Sequence, residues 1–333
     1  MTAPSSEPPP LLVAVDAPSL LHRSHHAHVD SRRTDRGGRP AWALHGMLRL
    51  VLQLLEDLTP DAVVLGLDDR SASVRSDRYP DYKAGRKEKD PALVEQLDRA
   101  PALLSALGLH AVRPEGLEAD DVSASASHLA EQHGWRCTIV TSDRDAFAHI
   151  SDLTSVLRLV TGGIASSPLL TPARLRTMYD VPAGFYLEYA ALRGDASDNL
   201  PGVEGIGEKS ASLLLRLAGS MDAVWEDLDR DGGAAVRAGL DAACEAEGRA
   251  RVGKRVVTAL TADGARERYD FNVEIMSGRT DLDLGLDLAA APDGPGPGRL
   301  PLDPDRVRRV VDHLGDPFLT DHALRVLTWA HRR

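Results

Sequence analysis

The chain has 333 residues, 43% apolar and 27% charged, a composition that excludes a wholly disordered or fibrous protein and leaves room for one large domain or two unequal ones. Its two cysteines, Cys137 and Cys244, are far apart, which excludes a disulfide framework or a structural zinc site and makes a reducing interior the expectation. A formal net charge of -11 argues against a uniformly basic nucleic-acid binder, yet three of the five lysines fall in one short segment.

Met1 to Pro10 is polar and proline-rich, unlike a signal peptide, and the apolar run Leu11 to Val15 is far too short to span a membrane. A cytoplasmic protein without membrane contact is the expectation. Leu11 to Val15 (LLVAV), Ala62 to Leu67 (AVVLGL) and Cys137 to Thr141 (CTIVT) have the pattern of strands buried on both faces of a parallel sheet. Apolar residues recur at helical spacing over Trp42 to Leu58 and Leu93 to Leu107, which Gly108 stops. Between them, Arg70 to Lys89 carries Arg70, Arg75, Arg78, Lys83, Arg86, Lys87 and Lys89 against Asp77, Asp81 and Glu88. After Gly116, the acids Glu118, Asp120 and Asp121 open a helix that continues through Val122 to Leu129. Farther on, Arg193 to Ala211 reads as helix, glycine-rich turn, helix. Ala289 to Leu302 (AAAPDGPGPGRLPL) reads as a flexible loop or linker, followed by two short helices, Asp305 to Leu314 and Asp321 to His331.

Nine carboxylates stand in five clusters along this order: Asp16, Asp68, Glu118/Asp120/Asp121, Asp143/Asp145 and Asp195/Asp198. Each cluster has a plain structural explanation. Acids in a first helical turn complement the helix dipole, and S-D-R-D after a strand is an ordinary turn. Solvated acids, however, have no reason to recur at successive strand ends, where open α/β sheets bind their ligands. Converging carboxylates resist ionising together unless cations neutralise them, and oxygen-only ligation points to magnesium or manganese, not zinc. In Gly202-Val-Glu-Gly-Ile-Gly the glycines expose backbone amides before a helix opening at Glu208 to Ser210, a hairpin that can grip phosphate without reading bases. A plain connecting loop is the alternative; a nucleotide-binding loop lacks G-x-x-x-x-G-K-[ST] and a preceding strand.

Five ordered motifs then carry a resemblance: V-D-A-P-S-L-L-H-R from Val15, R-Y-P-D-Y-K-A-G-R from Arg78, G-L-E-A-D-D from Gly116, T-S-D-R-D from Thr141, and G-D-A-S-D-N-L-P-G-V-E-G-I-G-E-K from Gly194. Over roughly Leu11 to Leu260 the sequence resembles the 5′-3′ exonuclease domain of bacterial DNA polymerase I and the wider flap-endonuclease superfamily, here as a stand-alone chain. The resemblance implies an α/β, PIN-like catalytic domain over residues 11–175, its mostly parallel sheet flanked by helices. A helical arch is implied near 70–100, a helix-hairpin-helix subdomain over 176–290, and a linker with C-terminal helices over 291–333. It implies that Asp16, Asp68, Glu118, Asp120 and Asp121 surround one metal ion and Asp143, Asp145, Asp195 and Asp198 a second. Lys83 and Arg86 match the basic residues at the base of the arch, and either Tyr79 or Tyr82 the aromatic on which a terminal base stacks. Gly202, Gly205, Gly207, Lys209 and Ser210 match the duplex-holding hairpin, where relatives often bind potassium.

Two departures from the family pattern bear on the site. The second strand ends Leu67-Asp68-Asp69, making Asp69 a substitute candidate for Asp68. His22, His25, His26 and His28 crowd the helix after Asp16 and are read as part of the DNA-facing rim in preference to a histidine metal site. Arg75 and Lys87 are expected to contact phosphate. The expected chemistry is two-metal hydrolysis of phosphodiesters in DNA with 5′ flaps, nicks or 5′ ends, and in RNA-DNA hybrids, by a monomer that serves replication or repair beside a separate polymerase. The rivals are a noncatalytic DNA-binding paralogue and a nuclease directed chiefly at RNA.

Overall fold

The computed structural model describes residues 8–328. In chain order the first half contains β1 (Leu11–Asp16), α1 (Ala17–His28), α2 (Trp42–Leu58), β2 (Ala62–Gly66), α3 (Val74–Arg78), α4 (Pro91–Leu107), β3 (Ala111–Val112), α5 (Ala119–Gln132), β4 (Arg136–Thr141), β5 (Thr154–Arg158) and β6 (Leu169–Leu170). The second half is helical apart from one tiny hairpin: α6 (Pro172–Tyr179), α7 (Tyr186–Arg193), β7 (Gly194–Asp195), β8 (Leu200–Pro201), α8 (Glu208–Ala218), α9 (Met221–Asp231), α10 (Ala234–Ala246), α11 (Gly253–Leu260), α12 (Ala265–Met276), α13 (Pro304–His313) and α14 (Pro317–Leu327).

The sheet runs β3-β2-β1-β4-β5-β6, parallel from β3 to β5, with β6 antiparallel at the edge. All six residues of β1 are buried, and its side chains alternate between two cores as the two-residue period of a strand requires. Leu11, Val13 and Val15 pack with α1, α2 and α4, whereas Leu12 and Ala14 face the side covered by α5. Because β2 and β4 flank β1 on opposite sides, the chain's direction of travel across the sheet reverses at β1. The crevice at the carboxyl ends of β1 and β4 is therefore where such a sheet offers a binding site. Gly66 is needed at the end of β2: a Cβ there would lie 2.9 Å from the Ala119 carbonyl, so its absence lets the start of α5 close over the strand ends.

Two expectations are corrected. The segment near 70–100 expected as a helical arch is helical over the five residues of α3 and again from Pro91, where α4 begins, while residues 79–90 between them run as turns and irregular chain. The reason is visible in its contacts: Arg78 pairs with Glu274 at 2.6 Å, Tyr79 packs edge-to-face on Phe271, and the backbone amide of Lys83 donates to the Asp198 carbonyl, so the segment is sewn onto α12 and the acid cleft. The proline- and glycine-rich stretch expected as a flexible linker is pinned instead. Val63 of β2 donates to the Gly298 carbonyl, and the buried Arg299 donates to the carbonyls of Asp61, Asp287 and Pro292 while its guanidinium stacks on Trp135. As expected, helices follow it. Val307 and Val311 of α13 and Leu319, Ala323 and Val326 of α14 complete the core on the α2 and α4 side. The end of the last expected helix, beyond residue 328, lies outside the described residues.

Candidate active site

Asp16 ends β1 and caps α1, one oxygen accepting from the Ser19 amide at 2.9 Å and the other from the Thr141 hydroxyl at 2.7 Å. The second bond follows from register, since Val15 stands opposite Val140 and the next residues along, Asp16 and Thr141, are neighbours across the ladder. Asp68 lies two residues past β2 and accepts from the Ala119 amide at 2.9 Å at the start of α5. Asp69 does other work: it accepts from the Ser71 hydroxyl and amide and the Gly116 amide, bonds that hold its carboxyl down at about 2 and knit its loop, leaving Asp68 as the residue whose charge acts on Asp16.

Successive residues on α5 point about 100° apart, and this separates Asp120 from Asp121. Asp120 feels the charges of Asp16, Asp143, Glu118 and Asp145. Asp121 faces away and is fully buried, with Arg75 bridging both its oxygens at 2.9 Å while the Glu118 and Arg279 amides occupy the remaining lone pairs. Two expectations fall here together. Asp121 has no free lone pair directed at the cleft, and Arg75, which also donates to the Ile275 and Ser277 carbonyls, is a buried structural cation with no donor left for phosphate.

Glu118 accepts from Lys83 Nζ at 2.6 Å, Tyr82 OH at 3.1 Å and Arg75 at 3.2 Å. Arg86 holds Asp198 at 2.6 Å, and Lys83 Nζ stands 3.8 Å from the same carboxylate. Lys83 and Arg86 are thus at the acids, as expected, and Lys83 adopts a left-handed φ of 60°, a conformation uncommon outside glycine and held by the turn around it. Burial separates the two tyrosines. Tyr82 is 8% exposed with its hydroxyl bonded to Glu118, whereas Tyr79 lines the open cleft. Lys87 is exposed on the same segment.

Burial and mutual repulsion dominate the electrostatics. Burial pushes Asp16 up to about 7, with Asp68 and Asp143 adding to the rise, and it pushes Asp145 up to about 8, reinforced by Asp143, Asp195 and Asp198. Asp68, Asp120 and Asp143 are raised for the same reasons, whereas Asp121 is held low by Arg75 against the upward push of burial. One oxygen of Asp145 is buried without a hydrogen-bond partner. Uncompensated negative charge, an orphaned carboxylate oxygen and an all-oxygen donor set fit hard divalent cations. Among the described residues no three His, Cys, Asp or Glu side chains are gathered as a ready-made ion site. None of the four crowded histidines joins the acids through a direct bond: His25 accepts from the Trp42 indole, and burial with nearby Lys89 pushes His22 down to about 4.

A cleft of about 930 Å³ opens beside Asp143 and Asp195 and is walled by the hairpin residues Gly194 to Gly202. Asp195 accepts from the Ser197 amide and hydroxyl within the turn between β7 and β8. Packing requires Gly202: a Cβ on it would collide with the Arg193 carbonyl, and one on Gly194 with the Gly202 amide. Gly205 takes a φ of 81°, Gly207 caps α8, and Lys209 is exposed beside them. Ser210 is 6% exposed and accepts from Arg255, which also donates to the Gly205 carbonyl at 2.7 Å; its hydroxyl braces the hairpin from inside. Arg255 is a site-shaping residue that sequence reasoning missed, lying on α11 outside every motif. Thr141 was also missed, although its place in T-S-D-R-D beside a strand-end acid was a usable signal.

The model of the 5′-3′ exonuclease N-terminal resolvase-like domain matches residues 11–180, and that of the 5′-3′ exonuclease C-terminal SAM fold matches residues 181–272. DNA polymerase I of Mycobacterium bovis is 34% identical over 263 residues, 79% of this chain and 28% of that protein. The thermostable DNA polymerase I of Thermus aquaticus is 38% identical over 227 residues, 68% of this chain and 26% of that protein. The chain thus spans little more than a quarter of the length of these two relatives. In fold it is similar to the D15 flap endonuclease of bacteriophage T5, solved with DNA and metal ions (TM-score 0.54, 21% identity, 80% of this chain and 99% of that one). It is likewise similar to the catalytic core of Rad2, solved with a DNA substrate (TM-score 0.55, 17% identity, 96% of this chain and 91% of that one). No helix among the described residues is long and apolar enough to cross a membrane. From the strand-end acids to the glycine hairpin, the chain belongs to the 5′-3′ exonuclease family.

Proposed function

We propose that the protein is a metal-dependent 5′ nuclease that hydrolyses phosphodiesters at 5′ ends and 5′ flaps of DNA. The observation that carries this reading is the set formed by the buried Asp16 and the half-buried Asp68, Asp120, Asp143 and Asp145, all driven toward protonation, with Asp143 lining a cleft that the hairpin walls. Asp16, Asp68, Glu118 and Asp120 would hold one divalent cation, and Asp143, Asp145, Asp195 and Asp198 the other, with magnesium or manganese favoured by the all-oxygen donors. Two such cations supply Lewis-acid activation of water and charge neutralisation at the scissile phosphate.

The chain's own residues do the rest. Lys83 and Arg86 bring positive charge to the acids and can turn it toward a bound phosphate, Tyr79 offers a ring for stacking, and Lys209 with the hairpin amides grips the duplex backbone without reading sequence. Potassium at the hairpin, action on RNA-primed duplexes, a monomeric state and a cytoplasmic setting beside a polymerase belong to the same reading. The likeness to proteins solved with DNA, and the kinship with DNA polymerase I, support DNA as the substrate over RNA and a replication or repair setting. The test is digestion of 5′-labelled flap, nicked and RNA-primed duplexes with magnesium, manganese or chelator. Short 5′ products from flap and nicked DNA that vanish with chelator are expected; binding of all three without cleavage in either metal would leave the noncatalytic paralogue.

A further inference from the structure

Three arginines outside the motifs' acids converge on the cleft beside Asp143 and Asp195: Arg144 from the turn after β4, Arg158 from the end of β5 and Arg193 from the end of α7. None of them lies within ion-pair distance of Asp143 or Asp195. The Arg144 side chain has no hydrogen-bond or ion-pair partner among the described residues, and the Arg193 side chain bonds the Gly194 carbonyl, stands 3.4 Å from the exposed Glu208 carboxylate and lies 5.6 Å from the centre of the Tyr189 ring. Arg158 lies with its guanidinium 6.0 Å from the centre of the Phe147 ring, and its Nε is buried without a hydrogen-bond partner.

A buried guanidinium N–H left unpaired is costly, and a group in that state is poised for an acceptor that the protein itself does not supply. The cleft is lined by Asp143 and Asp195 together with Arg144, Arg158 and Arg193, so a phosphodiester bound there finds its opposite charge on the arginines. From this arrangement we infer that Arg144, Arg158 and Arg193 form a subsite for an internal phosphodiester of the substrate strand, one that lies on the Asp143 and Asp195 side of the acids. Arg158 is its anchor, because its guanidinium lies over the Phe147 ring and its Nε is buried with no partner of its own. The subsite rests on the nuclease reading above and adds to it a fixed register of the strand relative to the acids.

The experiment measures binding of a 5′-flap duplex in EDTA, across salt concentrations, to the wild type and to Arg158→Gln, Arg158→Lys and Arg193→Gln, with the same flap carrying single neutral methylphosphonate linkages at successive positions. Arg158→Gln should lose about tenfold in affinity and its salt slope should fall by about one, as expected for one lost phosphate contact, with Arg158→Lys partly restoring both. One internal methylphosphonate should weaken the wild type and leave Arg158→Gln unaffected, which a merely structural role would not produce. An unchanged salt slope and methylphosphonate profile in Arg158→Gln and Arg193→Gln would overturn the subsite, and so would sensitivity confined to a terminal 5′-phosphate. A wild type that binds the flap and cleaves it in magnesium shows that such a failure concerns the subsite alone; a wild type that does neither brings down the nuclease reading with it.

Discussion

Replacing Arg75 with leucine separates a structural cation from a phosphate-binding one. Asp121 has no exposed side-chain surface and the side chain of Arg75 is 13% exposed, so the variant would leave a buried carboxylate facing apolar surroundings with only the Glu118 and Arg279 amides as donors. Breaking one side of a buried pair in this way costs about 3–5 kcal/mol, more than the pair itself contributes, because the remaining charge is stranded. The same change removes the bonds to the Ile275 and Ser277 carbonyls that tie the end of α12 and the chain beyond it to the site. Urea unfolding followed by circular dichroism in EDTA, where no cation can compensate, should show a loss of that size. Adding Asp121→Asn to Arg75→Leu should recover part of it, since the stranded charge is gone. An Arg75→Leu protein that unfolds like the wild type but binds flap DNA poorly would refute the assignment and return Arg75 to the phosphate-contacting set.

Three further outcomes follow from the geometry. In the metal-free protein, Asp16 near 7 and Asp145 near 8 keep protons that the unfolded chain has lost above its ordinary carboxylate value of 3.8, so the stability these two groups contribute is fully present below 3.8 and is lost as pH rises through those values. The histidines held near 4, His22 and His149, are neutral in both states above about pH 6.5. Between pH 6.5 and 8 chemical denaturation should therefore report a decline of up to about 1.4 kcal/mol per pH unit for each proton released, flattened by saturating magnesium; a flat metal-free profile would contradict the buried-acid picture. Gly202→Ala should disrupt the β7–β8 hairpin, because the new methyl collides with the Arg193 carbonyl, and should lower both thermal stability and duplex binding; normal binding would show that the hairpin tolerates the shift. Lys83→Ala should slow flap cleavage about 100-fold or more while altering duplex binding far less, and no change in either would remove Lys83 from the site.

The architecture was legible because buried parallel strands announce themselves as continuous apolar runs, and β1, β2 and β4 fall where LLVAV, AVVLGL and CTIVT do. Strand-end position also placed Asp16, Asp68 and Asp143 correctly at one crevice. What the sequence concealed is which way a side chain points and what it is bonded to. Asp120 and Asp121 are neighbours in G-L-E-A-D-D, yet helical rotation sends one toward Asp16 and Asp143 and the other to Arg75. Tyr79 and Tyr82 are likewise separable only by burial. The irregular chain around Arg299 looked like a free linker because glycine and proline mark loops; its anchoring comes from an arginine bonded to carbonyls distant in sequence, a pairing that no local pattern signals.

The central claim is that the strand-end acids form a divalent-cation centre that hydrolyses 5′ flaps. It is tested most directly by the initial rate of cleavage of a 5′-labelled flap across magnesium concentrations for the wild type, Asp143→Ala and Asp195→Ala, with flap binding measured alongside. The account predicts saturable, magnesium-dependent release of 5′ products by the wild type, and loss of that activity in both variants with binding largely retained. Cleavage at wild-type rates by either variant in magnesium, or wild-type cleavage that persists in chelator, would contradict it.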